Sequence, residues 1–455
     1  MPERKHLNRY IKWIAASGCS AALALSLGAS TDQNNPGGSF GDPGPRPGST
    51  PHAALNQLSA GEAAAYAAGR DAFQEVDSVT GTLSDGAGLG PRFNMDSCAG
   101  CHAFPDVGGS SPKLNPQIAV ATKAGAENAI PAFITSSGPV RVARFIRTPS
   151  GAPDGGVHDL FVISGRSDAS GCNIAQPDFN AALANNNVIF RTPTPLFGAG
   201  LIEAIDDGGI LSNMKANSSR KAALGIAGHE NRNGNDGTLT RFGWKAQNKS
   251  LAVFAGEAYN VEQGVTNDIF PNERDSSPGC QYNSSPEDHI DANGGRPRHP
   301  ATAPSDVIEF VFFMRFLAPP SRDPVTPSIS NGETLFNSIG CALCHTPAMT
   351  TGSSVTPALS NKPVNLFSDL LVHNMGSGLA DGVSQGTATG NEFRTAPLWG
   401  LGDRLFFLHD GRTSDLRAAI EAHASSGSEA NAVVAGYEAL SGQQRRDLLN
   451  FLRSL

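Results

Sequence analysis

The sequence predicts a mainly α-helical protein of two domains, the N-terminal one enlarged by an irregular β-containing insertion. Three observations predict this. The chain has 455 residues, more than a single hydrophobic core usually spans. The pentapeptides CAGCH (98–102) and CALCH (341–345) lie far apart, and each follows a capped helical stretch. Between them, short β-type runs at Gln117–Ala121, Val140–Ile146 and Leu160–Ile163 are broken by Gly and Pro.

In chain order, residues 1–30 read as an export signal. Arg4, Lys5, Arg9 and Lys12 precede an apolar run from Trp13 to about Leu27, and cleavage is expected near Ala29. The run falls short of the ~20 apolar residues of a membrane span and is diluted by Ser and Gly. A lipoprotein would place Ala-Ser-Gly before a lipidated Cys19. Here the text after Cys19 stays apolar where a polar tether would begin, so membrane attachment is expected only if Cys19 is lipidated. The expected location is the periplasm or the cell surface.

Residues 31–53, rich in Gly, Pro and Ser, read as a flexible linker. The N-terminal domain is then 54–320 and the C-terminal one 321–455. Removing residues 1–29 takes away four basic side chains and Glu3, which moves the net charge from −8 to −11. So acidic a surface argues against nucleic acid and favours a basic redox partner.

The helix over Leu58–Val79 starts at Ser59, with Glu62 completing a capping box. Ser330–Ile339 repeats the pattern, with Ser330 and Glu333 as the box and Phe336 facing inward. Ser441 caps the last helix. Its apolar face is Leu448, Leu449, Phe451, Leu452 and Leu455, against Gln443, Arg445, Arg446 and Arg453. Residues 271–305 read as a long surface loop.

The pentapeptides carry the chemistry. Two thiols two residues apart on one turn can form thioethers to the two vinyl groups of one porphyrin, and the adjacent imidazole then reaches the iron. Chance matches are expected only about 0.003 times in a chain of this composition. The alternatives are half of a zinc site or a disulfide motif, but no second CxxC stands at zinc-ribbon spacing. Cys98, Cys101 and His102 therefore read as the anchors and proximal ligand of one haem, and Cys341, Cys344 and His345 as those of a second. Cys172 and Cys280 remain, both in turn-like text, and in an oxidising compartment they are expected to pair.

The segments FNMDS-CAGCH, PDVGG, RTPTPLFGAGLIEAI, RFGWKAQNKSL, EAYNVEQGVTN, LVHNMG, EFRTAPLWGL and FLHDGR together resemble the di-haem oxidoreductase family. That family is also labelled thiol oxidoreductase and is related to bacterial di-haem cytochrome c peroxidases. The resemblance covers nearly everything from residue 55 onward and implies two cytochrome c-type domains. The N-terminal haem has an open or openable distal side where peroxide is cleaved, and the C-terminal haem is six-coordinate and passes electrons. In those relatives the sixth ligand falls fourteen residues beyond the His of a His-Asp-Gly motif. Here the motif is His409-Asp410-Gly411, and that place is His423. The peroxidases use Met there and the methylamine-dehydrogenase-maturing relative uses Tyr, so this chain departs from both.

An axial imidazole donates more strongly to ferric iron than a thioether and lowers the potential. The competing readings are that His423 caps its helix, or that Met375 or Met349 binds instead. For acid–base work at the first haem the best carboxylate is Glu203, in apolar text at a place resembling the Pro-x-Glu segment of the peroxidases. The competing reading pairs it with Arg191 or Arg241. Trp244 is favoured over Trp399 as an aromatic relay between haems, with core packing as the alternative. His158, His229 and His299 read as surface or core residues. The resemblance extends to a calcium ion between the haems, which backbone carbonyls would hold without a side-chain signature.

The expectation is an exported di-haem c-type enzyme that reduces hydrogen peroxide or another small substrate. Its electrons would come from a small donor protein of cytochrome c or cupredoxin type. Two other classes stay open: a pure electron-transfer protein, and an enzyme oxidising a protein or thiol with peroxide.

Overall fold

The computed structural model describes residues 41–46, 52–84, 86–290 and 305–455. The expected export signal with Cys19, most of the expected linker, and His299 lie outside them. The fold is mixed, 31% helical and 13% strand. Among the described residues no helix is long and apolar enough to cross a membrane.

Helix α1 (Ala60–Gln74) starts where the sequence places it: Ser59 Oγ accepts from the Glu62 N–H, and the Glu62 carboxylate accepts from the Ser59 N–H. Its buried side carries Tyr66, Gly69 and Phe73. Helix α2 (Cys98–Cys101) is the turn of the first pentapeptide.

Gln117–Ala121, expected as a strand, is instead helix α3. Asn115 Oδ1 accepts from the Gln117 N–H at 3.0 Å, and Pro116 already holds helical angles (φ −70°, ψ −17°). This local start outweighs the β preference of Ile118 and Val120. The other two runs do form strands. β1 (Arg92–Phe93) pairs with a later strand, Phe161–Val162. β2 (Val142–Phe145) lies between β3 (Val157–His158) and, beyond β4 (Phe161–Val162), β5 (Val188–Arg191) in an antiparallel sheet. Cys172 and Cys280 are joined in a disulfide.

After the short α4 (Ala199–Glu203) come α5 (Leu251–Gln263) and α6 (Asp306–Phe316). Helix α6 packs on α1, Phe310 and Phe313 meeting Phe73 at ring-centroid distances of 6.0 and 4.9 Å. The crossing is so close that a Cβ on Gly69 would stand 2.1 Å from Glu309 O, so only glycine fits.

The second half repeats this device. Helix α7 (Pro327–Ile339) precedes the second pentapeptide and packs on the last helix, and a Cβ on Gly332 would stand 2.0 Å from Asp447 O. The cap of α7 is Thr326, whose hydroxyl accepts from the Ile329 N–H at 3.3 Å, rather than Ser330. Pro327 at the first helical position starts the helix earlier than the Ser330–Glu333 pattern suggested, and Glu333 pairs with Arg322 at 2.8 Å instead. Strands β6 (Val372–Asn374) and β7 (Glu392–Arg394) pair antiparallel.

Helices α8 (Leu416–Glu421) and α9 (Gly442–Arg453) complete the chain. Ser441 caps α9 with Gln444, and Leu448, Leu449, Phe451, Leu452 and Leu455 are buried as expected. Arg453 is buried too, although the sequence put it on the polar face: it bonds to Asp42 and donates to the Arg404 carbonyl at 3.0 Å. Asp42 and Arg46 belong to the stretch expected to be a flexible linker. Arg46 is bound to Asp403 (2.6 Å) and Asp323 (3.1 Å), so residues 42–46 are docked by ion pairs that composition does not reveal.

Candidate active site: two cavities meeting at Trp244

Each pentapeptide opens onto its own cavity, of about 160 Å³ for the first and about 210 Å³ for the second. The four cysteines carry no disulfide, and the two CxxC turns line different cavities, so they do not share one site.

On the pentapeptide side the cavities are built alike. His102 donates from Nδ1 to the Gly109 carbonyl at 3.1 Å, and His345 from Nδ1 to the Phe367 carbonyl at 3.0 Å. Nε2 is then the unprotonated nitrogen of the His345 ring, while the His102 ring also faces the Thr194 carbonyl. Burial pushes both imidazoles down to about 4, so both stay neutral, as a metal ligand must. An aromatic from the preceding helix stands beside each ring, Phe73 at 5.9 Å and Phe336 at 6.4 Å. Burial also raises the thiols of Cys98 and Cys101, and Cys341 to about 12.

Opposite chemistry lines the remaining walls. The first cavity holds Glu257, Glu262, Arg144 and Arg191, with no second histidine among its lining residues. Glu257 accepts from Asn248 Nδ2 at 2.5 Å, while the Glu262 carboxylate has no hydrogen-bond or ion-pair partner among the described residues. Burial, then the charge of Asp159, pushes Glu262 up to about 8. Arg191 is bound to Asp381 at 2.8 Å and Gln385 at 2.5 Å. Arg144 donates to the Gly155 carbonyl at 2.8 Å and keeps an unpartnered Nε. Of the methionines there, Met95 packs against Gly100 of the pentapeptide and Met314 sits in the core cluster with Phe73.

The second cavity holds His423, Met375, His373 and His409 beside His345. His423 donates from Nδ1 to the Ala419 carbonyl at 2.7 Å, which frees Nε2 as in His345. Burial lowers its pKa and keeps it neutral. A proton on His423 would oppose one on His345 and helps to hold His345 down, so the two imidazoles are close. Met349 lies in a strand paired with Val364 and does not line this cavity. His373 is bound by Asp369 (2.9 Å) and Glu429 (2.8 Å), and His409 stacks on Phe393 at 4.3 Å.

Trp244 lines both cavities, with its Nε1 donating to the Thr192 carbonyl at 3.0 Å. Trp399 borders only a third, smaller space of about 40 Å³, which Trp244 also lines. Glu203 is absent from the lining of either cavity. Arg315 holds its carboxylate at 2.8 and 3.0 Å, and the Leu251 N–H at the start of α5 donates to it at 2.9 Å. It thus has the structural pairing that the sequence left open, with Arg315 in place of Arg191 or Arg241. His158 pairs with Asp154 and His229 with Glu392, neither near an iron site.

Glu262 was missed, although a signal existed. Leu251, Ala255 and Tyr259 form the buried stripe of α5, and position 262 continues it one turn on, so a carboxylate there is forced inward.

The family model described as "Di-haem oxidoreductase, putative peroxidase" matches residues 143–455, and the chain belongs to that family. The protein is therefore a di-haem oxidoreductase of peroxidase type. The first pentapeptide precedes the matched span. A MauG-like protein associated with microbial copper homeostasis is 17% identical, with a TM-score of 0.29, over 58% of this chain and 90% of that one. The diheme peroxidase BthA from Burkholderia thailandensis is 15% identical, with a TM-score of 0.29, over 58% and 86%. Kuenenia stuttgartiensis hydrazine synthase is 18% identical with a TM-score of 0.22, over 34% of this chain; the match spans 56% of that chain's length. No curated protein matches the chain.

Proposed function

We propose that this is an exported c-type enzyme that reduces hydrogen peroxide at its first haem with electrons drawn through its second. The carrying observation is that the two cavities are alike on the CxxCH side and unlike on the other, one offering an unpaired carboxylate and the other a histidine. Thioethers from Cys98 and Cys101, and from Cys341 and Cys344, would hold the haems, with His102 and His345 as proximal ligands and His423 completing the second iron. Each haem would then sit in its own cytochrome c-type domain, with the β2–β5 region as the insertion in the first.

When bound, the haems supply the electron chemistry, in which one peroxide takes two electrons and two protons to give two waters. Glu262 handles protons: it takes one from the nearer peroxide oxygen and returns it to the leaving one. Burial and the charge of Asp159 keep its proton affinity close to what this transfer requires. Trp244, lining both cavities, is the relay between them, and a small cytochrome c or cupredoxin is the donor.

Stopped-flow mixing with hydrogen peroxide tests this. The wild type should react rapidly, Glu262→Gln should be slower by roughly 10²-fold or more, and Glu203→Gln should react like the wild type. A wild type inert to peroxide when oxidised and when half-reduced would leave pure electron transfer as the function. Rapid reaction with an equally fast Glu262→Gln would remove the carboxylate from the chemistry. Product analysis then separates peroxide reduction from oxidation of a protein or thiol.

A further inference from the structure

We propose that Arg394 and Arg404 form the anion site that receives the two propionates of the second haem and turns that edge toward Trp244. This rests on the di-haem reading above but is a separate claim about the wall of the second cavity.

Both arginines line the second cavity and also the smaller space bordered by Trp244. Arg394, on β7, is fixed at its base. Its N–H donates to the Trp244 carbonyl at 2.8 Å and its Nε to the Gly243 carbonyl at 2.9 Å, while its buried Nη1 has no partner. Arg404 places its guanidinium over the Trp244 ring at 6.0 Å, and its buried Nε has no partner. Neither forms an ion pair among the described residues.

Other buried arginines of this fold are treated differently. Arg166 has Asp168 at 2.8 Å, Arg191 has Asp381 at 2.8 Å, and Arg453 has Asp42. An unpaired buried charge is costly, and two neighbouring like charges compound the cost. The strain is visible in the pair itself: burial and the charge of Arg404 push Arg394 down to about 10, and burial pushes Arg404 down to about 10. Among the described residues the only carboxylate lining the cavity is Glu429, which is already taken by His373 and by the Ala227 and Asn374 N–H groups.

The wall therefore carries two guanidiniums and lacks two carboxylates. A haem brings two carboxylates, on one edge, and guanidinium binds carboxylate as a planar fork. The match fixes orientation as well as charge, because Arg394 is anchored to the Trp244 and Gly243 carbonyls and Arg404 lies over the Trp244 ring. The propionate edge then borders the relay residue and the first cavity, and the two cations favour the reduced second haem.

The experiment uses the two-haem protein with Arg394→Gln, Arg404→Gln and Arg404→Lys, read by spectroelectrochemical titration and by the propionate bending band in resonance Raman. Both Gln variants should keep two haems by pyridine haemochrome. The second haem's midpoint potential should fall, the first should stay unchanged, and the propionate band should shift. Arg404→Lys should keep most of the potential but still shift the band, since it keeps the charge and loses the fork. Fully loaded Gln variants with wild-type potential and band would overturn the proposal. If the Gln variants do not mature, Arg404→Lys decides: an unshifted band overturns the proposal and a shifted one supports it. A wild type with fewer than two haems would instead strike at the di-haem reading.

Discussion

The two cavities begin as copies and end as opposites. Each follows a helix whose glycine meets a partner helix's backbone, Gly69 against Glu309 and Gly332 against Asp447. Each then presents two cysteines and a histidine whose Nδ1 is spent on a carbonyl. Beyond that point the first wall carries Glu257 and Glu262 beside Arg144 and Arg191, and the second carries His373, His409 and His423 beside Arg394 and Arg404. On the proposed function, one scaffold would hold a cofactor in the same way twice and its far walls would set the chemistry, proton transfer beside the unpartnered carboxylate and electron storage beside the second imidazole.

The heaviest loss should come from what the cavities share. Cys98→Ala/Cys101→Ala and Cys341→Ala/Cys344→Ala should each lose one whole haem, the first abolishing peroxide turnover and the second leaving the first haem's spectrum in place. Two haems in either variant, by pyridine haemochrome, would break the assignment of one motif to one cavity.

Next comes the imidazole that makes the second cavity different. His423→Met should keep a low-spin second haem and raise its potential, because thioether replaces imidazole. His423→Ala should turn that haem high-spin, or recruit Met375, which lines the same cavity. An unchanged spectrum and titration in His423→Ala would reduce His423 to a residue bonded to the end of α8.

A smaller change is expected in the pH dependence set by Glu262, whose folded-state value of about 8 stands above its ordinary value of 4.5. The folded chain keeps a proton that the unfolded chain gives up, so this contribution to stability is complete below about 4.5 and is lost as pH rises toward about 8. Relative to Glu262→Gln, the wild type should therefore lose on the order of 1–3 kcal/mol between pH 5 and pH 8. Chemical denaturation of both proteins at the two pH values measures it. A constant difference would mean that Glu262 is solvated and that the two far walls differ less than their side chains suggest.

What the sequence made legible was local. The pentapeptides, the Ser59 and Ser441 caps and the apolar face of α9 each lie within a few residues of their partners. The far walls are assembled from distant segments, so they were mostly hidden. Glu203 looked like the acid–base group because its neighbours in sequence are apolar, but its partner in space is Arg315, 112 residues away. Arg394 and Arg404 look like any other arginines until the missing carboxylates are counted around the cavity. Asp42 and Arg453, 411 residues apart, could not be paired by composition. His423 was legible only through spacing from His409, a resemblance rather than a physical signal. Trp244 stood out for its scarcity, one of 3 tryptophans, and the structure gives it the shared wall.

If the far walls set the chemistry, the irons of the two cavities must differ in their sixth position. Low-temperature EPR of the fully oxidised two-haem protein reads this difference, because spin state reports axial ligation at both irons at once. One high-spin signal is expected from the first haem and one low-spin bis-imidazole signal from the second, with the latter lost in His423→Ala. Two low-spin signals in the oxidised wild type, with the first haem still low-spin in the half-reduced protein where the reduced second haem is EPR-silent, would contradict that division.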